Sequence, residues 1–251
     1  MDNKAIAQAQ GEFILWCDSD DYLKSNALER LLDTWHSIPS DVRDEYVGVT
    51  ALCATEEGII INPFPDAKQT DVSWNDLAEV HKVNRDMLFF TRASALKTCP
   101  FPEVDLYITE SVVWTEIGHQ RTRLIPEVLQ TKEYGVNNRI SFSGDMAYNR
   151  GYSYALAATE RNLRSYTRGW RTRAWRLVTF LRYSIHGELA IRKVLHLWGN
   201  NTSRFALWAS LPVAWLLAIN DMRRGRVKRT HREFLAVRDA VRTSVVRLGR
   251  V

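Results

Sequence analysis

Residues 11–23 read Gly11-Glu12-Phe13-Ile14-Leu15-Trp16-Cys17-Asp18-Ser19-Asp20-Asp21-Tyr22-Leu23. Five apolar residues, Phe13 to Cys17, run straight into the acidic group Asp18-Ser19-Asp20-Asp21. A short unbroken apolar run that stops abruptly has the pattern of a buried strand reaching the edge of a sheet. In open α/β sheets, ligands bind just beyond the carboxyl ends of the strands. Carboxylates crowded at such a place raise one another's pKa unless a positive charge offsets them. A divalent cation that prefers hard oxygen ligands, Mg²⁺ or Mn²⁺, is the usual solution, and it would in turn hold a diphosphate. The plainer alternative is that the acidic group caps the helix that follows, through Asp21 or Ser25.

The flanking segments alternate between helical and strand patterns. Asp2 to Gln10 places Ala5, Ile6 and Ala9 at helical spacing, and Gly11 is a helix stop. Ser25 to His36 reads as an amphipathic helix with Leu28, Leu31, Leu32 and Trp35 on one side, a Ser25-Asn26 cap and Pro39 beyond its end. Tyr46 to Ala54 is a strand of small and β-branched residues; Glu56-Glu57-Gly58 is a turn and Ile59 to Ile61 a return strand. Asp71 to Val80 is a short polar, helical stretch around Trp74. Met87 to Thr91 is apolar and reads as a central strand. Arg121 to Tyr134 reads as a strand followed by a loop.

The run Asn3-Lys4-Ala5-Ile6-Ala7, then Gly11-Glu12-Phe13-Ile14-Leu15, then Asp18-Ser19-Asp20-Asp21, resembles the middle of a family 2 glycosyltransferase. The resemblance implies an α/β fold, a Rossmann-like GT-A nucleotide-sugar domain. It also implies a truncated one, because family members carry a first strand and a base-gripping turn before this point. It places Asp18 facing the nucleotide sugar and makes Asp20 the metal ligand of a D-x-D motif. Asp18, Asp20 and Asp21 are the candidate donor-binding residues, with Mn²⁺ or Mg²⁺ as cofactor. The implied reaction is an inverting transfer from a nucleoside-diphosphate sugar to a glycan or lipid-linked acceptor, in cell-surface polysaccharide synthesis.

Inverting transfer needs one base, which takes the acceptor hydroxyl proton as that oxygen attacks the anomeric carbon. Ile108 to Ile117 suits this, with Thr109 as N-cap and apolar residues at 113, 114 and 117 on one helix face. The family often has Glu-Asp here, with Asp as base. Glu110-Ser111 instead resembles a branch in which Glu precedes a small residue, two apolar residues and Trp. Glu110 is therefore the candidate base and Asp105 the reserve; the plainer reading is that Glu110 favours a helix N-terminus electrostatically. Arg85 and Arg92 could meet phosphate or acidic neighbours, or be ordinary surface arginines. Gly135, Gly144 and Gly151 suit the mobile segment with which the family often closes its nucleotide site. The resemblance ends near Arg150.

The chain has 251 residues, 45% hydrophobic and 25% charged, which is ordinary for a globular protein. Cys17, Cys53 and Cys99 form no C-x-x-C pair, which argues for a reducing compartment and against a disulfide scaffold. The first ten residues are polar and do not resemble a secretory leader. Charge is unevenly spread. Residues 161–251 hold 20 Lys and Arg against 4 Asp and Glu, whereas residues 1–160 hold 14 against 25. Two domains are expected, a partial GT-A domain at 1–150 and a helical basic region at 151–251.

In the second region Arg161, Arg164, Arg168, Arg171, Arg173, Arg176 and Arg182 alternate with Trp170, Trp175 and other apolar residues, a composition suited to a lipid headgroup layer. Phe205 to Ile219 has no charge but is short of the roughly 20 residues a span needs, and contains Pro212. It reads as an interfacial or re-entrant segment, or as a buried helical hairpin. The expected setting is the cytoplasm, at the inner face of the cell membrane, with peripheral membrane contact. A solvated basic tail is the bland alternative. No nucleic-acid-binding module is recognisable, nor is any P-loop, Ser-His-Asp set or His metal cluster. Two other functions remain open. One is a catalytically inactive remnant that binds a membrane or partner through its basic helices. The other is a metal-dependent phosphoryl-transfer enzyme, against which the missing phosphate-cradling loop counts.

Overall fold

The computed structural model describes residues 3–62, 70–81, 83, 86–103, 108–133, 146–166, 169–199 and 204–224. Asp105, Arg85, the glycines at 135 and 144, and the basic segment from 225 onward lie outside the described residues. The chain forms two compact units. One comprises Met1–Pro102, Glu110–Asn138 and Asn162–Tyr166; the other comprises Glu103–Thr109, Arg139–Arg161 and Thr167–Val251.

The first unit is a mixed α/β structure built on strands β1 (Phe13–Leu15), β2 (Asp21–Leu23), β3 (Tyr46–Thr55), β4 (Thr70–Ser73), β5 (Leu88–Arg92) and β6 (Arg121–Lys132). The sheet order is β1-β5-β3-β6-β2, with β4 also on β6. Only β3 and β6 pair in parallel; the other pairings among the described residues are antiparallel, so the largely parallel sheet of a Rossmann-like fold is realised at one ladder. β3 is buried along nine of its ten residues because both of its faces are covered, which is why its sequence shows no polar alternation. β6 carries β4 beside its first four residues and β2 beside its last three. Its register against β3 jumps from Ile125 to Val128, so Pro126 sits at an irregularity where the missing N–H breaks no ladder bond.

Helices α1 (Asn3–Gln8), α2 (Ala27–His36), α3 (Trp74–Glu79), α4 (Ala93–Thr98) and α5 (Ser111–Ile117) complete this unit. On α2 the buried stripe is Ala27, Leu31 and Trp35, packed against Val49, Ala51, Cys53, Phe90 and Leu129. Leu28 and Leu32, expected on the same side, face solvent because the i, i+4 spacing from Ala27 selects the stripe. Asn26 holds the N-cap position of α2 but makes no side-chain cap bond. The other face of the sheet is covered around Leu77, Val72, Leu52 and Leu124. The expected return strand at Ile59–Ile61 reduces to an isolated bridge between Ala54 and Ile60. Gly48 lies where β3 meets β5 so closely that an added Cβ would stand 2.0 Å from the Phe90 carbonyl oxygen.

The second unit, among the described residues, is helical: α6 (Met146–Asn162, all but its last residue in this unit), α7 (Trp170–His186), α8 (Ile191–Trp198) and α9 (Arg204–Arg223). Gly151 lies inside α6 rather than in a loop. The core gathers Ala157, Leu177, Phe180, Leu181, Trp198, Leu207 and Ala214. Asp221 is buried and accepts two bonds from Arg182 (Nε at 2.5 Å, Nη2 at 2.6 Å), and His186 Nε2 lies 3.0 Å from it. Burial opposes ionisation of Asp221, but the bonds from Arg182 and His186 outweigh it and hold its pKa below the ordinary value. α9 is one continuous helix through Pro212, which sets aside the hairpin among the alternatives for this segment. An 18-residue stretch within Phe205–Arg223 has a mean hydropathy of 1.4 with only 22% of it buried; among the described residues this helix alone is long and apolar enough to cross a membrane.

Arg123 ties the edge strand β4 to β6: Nε donates to Asp71 Oδ1 at 2.7 Å and Nη2 to Oδ2 at 2.9 Å. The bond from Arg123 holds the Asp71 pKa below its ordinary value against the opposing effect of burial. A depressed carboxylate pKa contributes stability above the unfolded value, roughly 3.9, and that stability is lost as pH falls through the folded value. Asp71→Asn is therefore expected to destabilise the chain by about 1–3 kcal/mol at pH 7, and by less as pH drops below about 4. Urea unfolding at several pH values measures both.

Candidate active site

β1 ends at Leu15, and Trp16 and Cys17 lead into a turn at Ser19-Asp20, closed by the Asp21 N–H donating to the Asp18 carbonyl at 3.1 Å. β2 then starts at Asp21, whose direct ladder partner is Lys132 at the end of β6. The three carboxylates consequently part company. Asp18 and Asp20 are exposed, while the Asp21 side chain is only 5% exposed and points into the sheet. It accepts from Lys132 Nζ at 2.7 Å and from Gln130 Nε2 at 3.1 Å. Gln130 in turn accepts from the buried Cys53 thiol at 3.3 Å, and burial pushes that thiol's pKa up to about 12. The Lys132 ammonium also lies 3.6 Å from Asp18 Oδ2.

The offsetting positive charge anticipated for this acidic group is thus supplied in part by the chain itself. Burial opposes the Lys132 ammonium, but the bond to Asp21 and the fields of Asp86, Asp21 and Asp18 outweigh it and hold its pKa above the ordinary value. Asp21 is shifted the other way from a typical ion-paired carboxylate. Burial, reinforced by Asp18 and Asp20, raises its pKa in spite of Lys132. By formal charge, Asp18, Asp20 and Asp21 outnumber the single lysine that meets them.

Glu110 joins the same cluster. It occupies the N-cap position of α5, which corrects the expected cap at Thr109, and its side chain makes no capping bond. The Trp114 indole N–H donates to Glu110 Oε2 at 3.3 Å. Although the residue has exposed surface, its carboxylate is enclosed enough for desolvation to raise its pKa. The Trp114 bond and Lys132 act downward; Asp18 and Asp86 act upward. Beside it lies an aromatic wall in which Trp16 meets Trp114 edge-on at 6.5 Å and Phe89 stacks on Trp114 at 4.9 Å. Glu110 and Asp18, distant in sequence, are therefore within one another's field. Arg92 points elsewhere, to the Tyr46 carbonyl and Asp44, each at 3.4 Å.

Lys132, Gln130 and Asp86 belong to this site and have no signal of their own in the sequence, whereas Trp114 stands in the motif that carries Glu110. Lys132 shows only as a charge ending an apolar strand, and its pairing with Asp21 requires the β2–β6 register. Among the described residues no three His, Cys, Asp or Glu side chains are spaced to hold a metal ion by themselves.

Residues 3–52 match the family model described as Glycosyl transferase family 2. The match spans about a fifth of the chain, from α1 through the Asp18–Asp21 turn and α2 into β3, and supports a glycosyltransferase in general. Glu110 and Lys132 lie beyond it. No curated protein matches the chain.

The Lys132–Asp21 pair is largely buried, and removing one partner leaves the other charge uncompensated. Lys132→Met is expected to cost about 3–5 kcal/mol in urea unfolding, and the double variant Asp21→Asn/Lys132→Met to recover most of that loss.

Proposed function

We propose that the chain transfers a sugar from a nucleoside-diphosphate sugar to a glycan or lipid-linked acceptor, with inversion at the anomeric carbon. The observation that carries this reading is the meeting of two chemically distinct sets of carboxylates in one cluster. Asp18 and Asp20 are exposed acids on a turn at the strand end, within the segment matching the family model. Glu110 is a desolvated carboxylate with a raised pKa, close enough to feel Asp18. In the proposed reaction Glu110 takes the acceptor hydroxyl proton while that oxygen bonds to the anomeric carbon and the nucleoside diphosphate leaves with the electrons of the broken bond. A raised pKa makes Glu110 a stronger base than an ordinary glutamate.

The residues fit a divalent cation held jointly with substrate. Carboxylate oxygens are hard donors and the cluster carries excess negative charge, but the described side chains offer too few ligands for a self-sufficient metal site. Asp20 would hold Mn²⁺ or Mg²⁺ together with diphosphate oxygens and water, with Asp18 on the donor side. When bound, the cation would neutralise charge on the departing diphosphate. Asp21 then serves by fixing Lys132 and the turn rather than by touching the donor. The proposed setting is the cytoplasm at the inner face of the cell membrane, in cell-surface polysaccharide synthesis. The basic composition after residue 160 and the exposed apolar side of α9 support the membrane part. That same exposed side favours a second reading, a non-catalytic chain that binds a membrane or partner through its helices.

Glu110→Gln is expected to lower sugar transfer by about 10²–10⁴-fold with folding stability kept, since the residue is exposed and its side chain makes no capping bond. In the wild type, transfer falls as pH drops through the raised Glu110 pKa, because only the carboxylate accepts the proton. Trp114→Phe removes an N–H donor to that carboxylate and moves this acid limb to higher pH. A pH–rate profile of the three proteins is the test. A rate unaffected by Glu110→Gln would reject Glu110 as base, and absence of transfer across a donor screen would favour the non-catalytic reading.

A further inference from the structure

Among the described residues of the second unit, the outer side of α9 is an apolar face that packing leaves uncovered. Leu207, Ala214, Ala218 and Asp221 face inward at helical spacing. On the other side Phe205 is 82% exposed, Trp208 54%, Trp215 56% and Leu216 62%, with Val213 and Met222 also open. From 205 to 219 no charged residue interrupts this face. A core helix of a globular protein is mostly covered, whereas this one has 22% of its apolar window buried. Contiguous exposed apolar surface of this kind marks a partner or a membrane.

We propose that α9 lies in the plane of an anionic membrane surface, with Phe205, Trp208, Trp215 and Leu216 inserted, and does not cross the bilayer. This deepens the membrane setting proposed above and does not depend on sugar transfer. Charge selects the partner. α9 is bracketed by Arg204 and by Arg223-Arg224, and the sequence continues as Arg226, Lys228, Arg229 and Arg232. Basic residues flanking a Trp-bearing apolar face match an anionic headgroup layer with acyl chains beneath it. Another copy of this strongly basic region would be repelled.

Packing selects the orientation. A helix of 20 residues is about 30 Å long, enough to span. Its inner stripe, however, is packed with Leu177, Phe180 and Leu181 of α7, which also carries Arg171, Arg173, Arg176 and Arg182. Crossing would either draw those arginines into hydrocarbon or strip α7 away, breaking the bonds of Asp221 to Arg182 and His186. Lying flat keeps every one of these contacts and buries only the outer face, to roughly 5–10 Å depth.

The test is co-sedimentation of the full chain with vesicles of phosphatidylcholine alone and of phosphatidylcholine mixed with phosphatidylglycerol. It is run beside Trp208→Glu/Leu216→Glu, two exposed positions whose change leaves the core intact, with circular dichroism as the folding check. The wild type is expected to partition onto the mixed vesicles, more weakly at high salt and onto phosphatidylcholine alone. The variant is expected to partition at least about tenfold less, and alkaline carbonate is expected to release the wild type from cell membranes. Binding unchanged in the variant would overturn the α9 surface while leaving a membrane setting intact. Resistance to carbonate would overturn the in-plane orientation. No vesicle binding, with a dimer that the variant disperses, would overturn both the surface and the membrane setting.

Discussion

The first unit turns on one buried ion pair. Asp21 and Lys132 face each other directly across the β2–β6 ladder, 2.7 Å apart, at the point where the acidic stretch leaves its turn. This contact fixes three things together. It anchors the short strand β2 to the end of β6, it draws Asp21 inward so that Asp18 and Asp20 remain outside, and it sets a positive charge within the field of Glu110. The pair is costly to desolvate, and Gln130 completes it by meeting Asp21 on one side and Cys53 on the other. A polar chain of this kind specifies register, since slipping β2 by one residue would bury Tyr22 in place of Asp21 and strand the lysine.

Much of this architecture is legible in the residue order, because it depends on local pattern. The helix over Ser25–His36, the strand from Tyr46 and the strand around Phe89 follow from periodicity and from runs that only burial on both faces explains. The chemical candidates were legible in part. Asp18 and Asp20 stand out as acids ending an apolar run, and Glu110 as a carboxylate opening a helix. What could not be read is which groups meet. Asp21 reads as equivalent to its neighbours until the ladder turns it inward. Lys132 reads as an unremarkable strand-end charge until β6 brings it opposite Asp21. The same reason explains α9. The apolar run stops at Ile219, but the helix continues to Arg223, where Asp221 finds Arg182 and His186 on α7.

The two units embody different solutions to burial. In the first, charge is concentrated and partly neutralised, leaving an acidic surplus beside an aromatic wall of Trp16, Trp114 and Phe89. Such a surplus attracts cations, the electrostatic condition that the proposed metal-assisted transfer from a diphosphate would need. In the second, an arginine-rich helical set encloses a small core and leaves one apolar helix face open. The composition shift in the sequence is the outward sign of these two designs.

The central claim is that the acidic turn binds a nucleoside diphosphate through a cation. The most direct measurement is calorimetric titration of UDP and of GDP into the purified chain with Mn²⁺ present and absent, against Asp20→Ala. The account predicts binding of one nucleotide that requires Mn²⁺ and is lost in Asp20→Ala. Binding of neither nucleotide by a folded, monodisperse chain, or binding indifferent to both Mn²⁺ and Asp20, would contradict it.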